Sequence, residues 1–107
     1  MPSRALTPWK EAFTFLDAAE RDFDQLPGKV QRAFLDRFPE FSPHPWRASA
    51  KLDVAPLRDM PGRWRLKVEG SHRAVYRSLH GRPDFELFET RQQVYARLRR
   101  YVESRSD

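Results

Sequence analysis

The sequence predicts an α+β domain, a small antiparallel β-sheet with an N-terminal helical hairpin and a C-terminal helix, on three observations. Arg63 to Glu69 alternates strictly, with Trp64, Leu66 and Val68 on one side and Arg63, Arg65, Lys67 and Glu69 on the other, the pattern of a half-buried strand. Upstream, Val30, Phe34 and Phe38 recur at every fourth residue, as they would along one face of a helix. Downstream, Val94, Leu98, Tyr101 and Val102 form an apolar stripe along Gln92 to Glu103, with Arg97, Arg99 and Arg100 mostly off it.

Taken in order, Trp9 to Leu16 places Trp9, Phe13 and Phe15 on one alternating side and is expected to be a first strand. Asp17 with Glu20 has the spacing of a capping box and should open a helix, which Pro27-Gly28 ends. The second helix follows at once and stops near Pro39, before Ser42 to Pro45, because proline lacks the amide donor and biases the preceding residue towards extended backbone. Trp46 to Gly62 reads as a long connection with a short strand near Lys51 to Val54. Gly70-Ser71 and then Gly81 to Asp84 turn the chain twice, so that Arg63 to Glu69, His72 to Leu79 and Phe85 to Glu89 make a meander. The order is β-α-α-β-β-β-α. The helices are expected to cover one face of the sheet and leave the other partly open to basic residues.

At 107 residues the chain is read as one domain, 1–107, large enough to fold without staples. It has no cysteine, which excludes disulfides and thiolate chemistry. No apolar run reaches the roughly 18 residues of a membrane helix, and Met1 to Pro8 lacks the apolar middle of a secretion signal, so a cytoplasmic protein with no membrane partner is expected. The net charge of +5 belongs entirely to residues 63–107, since the acids and bases before Arg63 cancel. A polyanion is the first partner to consider.

Arg65 and Lys67 are two residues apart on one strand and point the same way, and an antiparallel neighbour can bring Arg73 beside them. Facing like charges repel by up to about 1 kcal/mol per pair, so three clustered cations suggest an anion site, although a solvated strand face is the commoner meaning of such a pattern. His44, His72 and His80 have no companions at metal-ligand spacing, so no metal and no cofactor is expected. His72, at a strand start, is either exposed or in contact with a ligand on the basic face. No glycine series matches a phosphate loop. Arg91 and Tyr95, four apart, share a face at the entrance to the last helix, where Tyr95 either edges the core or offers a stacking platform.

The segment MPGRWRLKVEGSHRAVY from Met60 to Tyr76, followed by ETRQQVY from Glu89 to Tyr95, resembles the bacterial RelE/ParE toxin superfamily of type II toxin–antitoxin systems. The shared pattern is a Pro-Gly turn, an aromatic, two bases separated by one apolar residue, a turn, Arg and a Tyr, then a later Arg before a Val-Tyr pair. The resemblance implies a toxin with a cognate antitoxin partner. Its RelE-like branch cuts messenger RNA, usually on the ribosome, and its ParE-like branch inhibits DNA gyrase without cleavage chemistry. Carried over, the RelE-like set is Arg65, Lys67, Arg73, Arg91 and Tyr95. Beside it, Arg65, His72 and Arg77 are expected as substrate contacts on the basic strands. A Lys is common where Arg65 stands, and a His where Thr90 stands. The implied reaction is attack of a ribose 2′-hydroxyl on its own 3′-phosphate without a metal. Lys67 would be the base, since guanidinium does not deprotonate in proteins, while Arg65 and Arg73 clamp the phosphate. Arg91 would serve the leaving group and Tyr95 would stack or orient.

Overall fold

Strand β3, Arg63–Val68, forms where the alternation demands it and fixes the rest of the sheet. The structure is a computed structural model and describes residues 4–41, 52–68, 70–79 and 82–105. Strands β1 (Thr14–Phe15), β2 (Val54–Pro56), β3, β4 (His72–Leu79) and β5 (Arg82–Thr90) make one sheet in the order β1-β5-β4-β3-β2. The β2 to β5 run is antiparallel throughout, and β1 pairs in parallel with Asp84 and Phe85 of β5. Helices α1 (Asp17–Gln25) and α2 (Gly28–Arg37) form the expected hairpin, and α3 (Arg91–Arg105) closes the chain. Gly62 and Gly70 adopt φ of 86° and 63° at the turns that start β3 and join it to β4, a backbone open to glycine at little cost. Among the described residues no helix is long and apolar enough to cross a membrane.

Four local expectations change. Trp9 to Leu16 is mostly not a strand: Pro8 starts a 3-10 turn over Thr7–Trp9, and the Trp9 carbonyl accepts from the Ala12 and Phe13 amides, leaving only Thr14–Phe15 extended. Asp17 is not a cap. Leu16 holds that position without a side-chain bond, and Asp17 is the first helical residue, where its charge suits the helix dipole. Glu20 pairs with Lys10 instead of closing a capping box. The short strand in the long connection falls at Val54–Pro56, later than Lys51 to Val54, and the turn at Gly81 to Asp84 is shorter, since β5 begins at Arg82. His44, Lys51, Glu69, His80 and the stretch from Trp46 lie outside the described residues.

The largest correction concerns the second face of the sheet. Leu66, Val68, Ala74, Tyr76, Phe85 and Phe88 meet Phe23 and Phe34 of the helical hairpin, and Phe38 just past its end, in one core. Val75 and Leu87 point the other way and meet Val94 and Leu98 of α3, with Tyr101 and Val102 beside them. The final helix therefore lies on the face opposite the hairpin, because β4 and β5 each carry an apolar residue on both sides. A bulge in β5 makes this possible: Val75 pairs with Leu87 and Tyr76 with Phe85, which leaves Glu86 as the extra residue. Glu86 is 1% exposed and takes a two-pronged contact from Arg63, at 2.7 Å to Nε and 3.3 Å to a terminal nitrogen.

A second ionic tie fastens α3 to the hairpin. Arg97 reaches Asp22 of α1 at 3.0 Å and Glu89 of β5 at 2.8 Å, and Asp22 also accepts from the Phe88 amide on the uncovered edge of β5. Burial raises the Asp22 carboxyl above its ordinary 3.8, against the opposing pull of Arg97 and the Phe88 amide. A raised folded value means that the folded chain takes this proton first. The resulting stabilisation is complete below the unfolded value and lost as pH rises through the folded one. Asp22→Asn keeps an oxygen for the Phe88 amide but cannot titrate. Thermal melts should show the parent gaining on this variant as pH falls from about 6 to about 4. A parent that loses ground over that range would mean that the Arg97 pair outweighs burial.

Candidate active site

The sheet face that carries α3 is only partly covered, and its bare portion lies over β3 and the start of β4. Alternation sends Arg65 and Lys67 of β3 and Arg73 of β4 to that side, and the register sets Lys67 directly opposite Arg73. The turn into α3 is pinned by a bond from the Arg91 amide to the Ser71 carbonyl, which brings the first turn of the helix beside the start of β4.

Arg73 is the centre of this arrangement. It is 4% exposed, and its guanidinium donates to the carbonyls of Gly70 at 2.5 Å and His72 at 3.1 Å. Burial lowers its pKa, as do the charges of Arg65 and Arg91, while Tyr95 and Asp53 act in the opposite direction. Lys67 stands directly opposite Arg73 in the register, and Arg65, Arg91 and Tyr95 lie near enough for their charges to act on its guanidinium. No carboxylate forms an ion pair with Arg73 among the described residues. A buried cation held only by carbonyls is costly unless an anion completes its surroundings.

The other members differ in how free they are. Lys67 is exposed, with its amide tied to the Asp53 carbonyl at 2.9 Å and its ammonium unpaired among the described residues. Arg65 meets the Asp53 carboxylate at 3.2 Å, but Asp53 is more than half exposed, so this pair holds weakly and can be exchanged. Arg91 is exposed at the first position of α3. Tyr95, one turn on, is 38% exposed and is the only large apolar side chain so exposed among the described residues. Among the described residues, these four cations thus meet the exposed Asp53 carboxylate and, opposite Arg73 in the register, Glu89, which is held by Arg97.

Two sequence-derived contacts fall elsewhere. His72 pairs with Val68, whose side chain is in the hairpin core, so His72 faces the helical hairpin and lines a groove with Asp22, Gln25 and Pro27. Strand alternation forbids it from sharing a face with Arg73. Arg77 does share that face but stands four residues along β4, roughly 13 Å away, beside Arg63 and Asp84. Among the described residues no three His, Cys, Asp or Glu gather as a metal ion would require. Asp53 was not legible as a partner of Arg65, because it precedes a strand that is only three residues long and ends in proline.

No protein-family model matches the sequence, nor does any curated protein. Among solved structures, the chain is similar to one in the RelB–RelE antitoxin–toxin complex from Methanococcus jannaschii, with a TM-score of 0.66 at 15% identity, covering 78% of this chain and 96% of that one. It is also similar to a chain of the archaeal RelE–RelB complex from Pyrococcus horikoshii OT3, with a TM-score of 0.53 at 20% identity, covering 75% and 93%. The five-stranded sheet, its flanking helices and these likenesses together give the chain a RelE-like fold.

Proposed function

We propose that the protein is the toxin of a type II toxin–antitoxin pair, an endoribonuclease that cleaves messenger RNA, on the ribosome, and is silenced by a cognate antitoxin. The observation that carries this reading is Arg73: a buried guanidinium with no carboxylate ion pair among the described residues, opposite Lys67 in the register and within reach of the charges of Arg65, Arg91 and Tyr95, offers a seat for a phosphodiester. The RelE-like fold supports it.

In this reading the scissile phosphate docks on Arg73 and Arg65, whose planar forks suit two oxygens at once. Lys67 takes the proton of the neighbouring ribose 2′-hydroxyl. The new bond joins the 2′-oxygen to phosphorus, and the bond from phosphorus to the 5′-oxygen breaks, leaving a 2′,3′-cyclic phosphate and a 5′-hydroxyl. Arg91 stabilises the departing oxygen, which collects a proton from water, and Tyr95 orients the substrate. The cations also offset the extra charge on the pentacoordinate phosphorus, which is where electrostatic catalysis has most effect. The base and the charge stabilisation come from side chains, so no metal or cofactor takes part.

The test is to express the chain without an antitoxin and map the ends of cellular messages. Growth arrest with new 5′-hydroxyl ends is expected, and Arg73→Ala should abolish both while the purified variant keeps its secondary structure. Arrest with intact messages and broken DNA would replace this reading with gyrase inhibition.

A further inference from the structure

The loop from Leu57 to Met60 and the exposed side of α3 enclose a cavity of about 320 Å3, lined by Leu57, Arg58, Asp59, Met60, Tyr95 and Arg99. That is the small end of the range of ligand pockets, roughly 300 to 1,000 Å3, and gives room for one nucleoside. The cavity lies beside the phosphate seat, because Tyr95, which borders it, stands one helical turn on from Arg91, whose amide is bonded to Ser71 next to the start of β4. Leu57 and Met60 are half-buried and supply an apolar floor. Arg58, Asp59 and Arg99 have no ion pair or side-chain hydrogen bond among the described residues.

We infer that this cavity is a guanine subsite, which receives the base adjoining the scissile phosphate, stacked on Tyr95 and read by Asp59. The inference rests on the nuclease reading and names its base preference. A carboxylate only accepts, so it selects a base edge with two adjacent donors. Guanine offers N1–H beside N2–H2. Adenine and cytosine set a ring acceptor next to their single amino group, and uracil has one N–H between two carbonyls, so each would place an acceptor against Asp59. Arg58 and Arg99 supply the opposite need, donors for O6 and N7 of the same base. Tyr95 contributes stacking, which every base accepts and which therefore adds affinity without selection.

Two measurements test this. Mapping of message ends should show guanine on one fixed side of most breaks, and in Asp59→Asn the preference for guanine over adenine should fall about tenfold, within the discrimination expected of one bidentate contact. Separately, chemical-shift titration of the purified full-length protein with 3′-GMP and 3′-AMP should show tighter binding of 3′-GMP, lost in Asp59→Asn. Breaks without a guanine preference, or with one that Asp59→Asn leaves intact, overturn the subsite and spare the nuclease. Absence of breaks with selective, Asp59-dependent 3′-GMP binding overturns the nuclease and upholds the subsite. Equal binding of the two nucleotides overturns the subsite directly.

Discussion

Lys67→Ala is expected to reduce RNA cleavage by about 10²- to 10⁴-fold, the usual contribution of a positioned general base, and to relieve growth arrest. The fold should survive, because Lys67 is exposed and its contact with the rest of the sheet is made by the backbone: the amide donates to Asp53 and the register pairs it with Arg73. Surface changes of this kind shift stability by about 0.5 kcal/mol or less. Lys67→Arg separates two roles. It restores a positive charge beside Arg73, but a guanidinium cannot give up a proton in a protein. If Lys67 is the base, Lys67→Arg remains nearly as inactive as Lys67→Ala. Recovery of most of the activity in the arginine variant would mean that only charge is needed there and that the base lies elsewhere.

Phe85→Ala is expected to destabilise the chain by about 3 to 5 kcal/mol, as is usual for truncating a buried aromatic. The ring of Phe85 is fully buried and lies 5.3 to 6.0 Å from the rings of Phe13, Phe15, Phe38, Phe41, Tyr76 and Phe88. These rings belong to β1, β4, β5 and the residues around the helical hairpin, so one side chain joins the sheet to its cover. Such a loss is a large part of the about 5 to 15 kcal/mol that stabilises a small domain, and the melting midpoint should fall by more than about 10 °C. The cavity left by the ring cannot close without moving several others. A midpoint within two or three degrees of the parent would show that the neighbouring rings collapse into the space and that Phe85 is not the centre of the core.

The meander and the three helices were legible because periodicity and turn residues agree there. The alternation in β3, the glycines at 62 and 70, and the Pro27-Gly28 break each specify their element locally. The placing of Arg65, Lys67 and Arg73 on one sheet face, and of Arg91 and Tyr95 one turn apart on α3, was legible for a related reason: strand parity and helical period determine each once the meander is accepted. What escaped depends on contacts remote in sequence. The side on which α3 packs follows from Val75 and Leu87, which lie in runs too apolar to show which face each residue takes. His72 was misplaced by one step of parity. Glu86 looks like an exposed acid in sequence and is buried only because a bulge turns it towards Arg63. Asp59 sits in a stretch with no period at all, and only its return beside α3 gives it a neighbourhood.

The margins of the sheet have a bearing on solubility. On one side β1 supplies two residues, and beyond them the Phe88 amide is occupied by Asp22; on the other side β2 runs for three residues and ends in Pro56, which has no hydrogen to offer. Among the described residues, a passing extended segment, from another copy or from a misfolded neighbour, meets few unclaimed amides on either rim along which to zip.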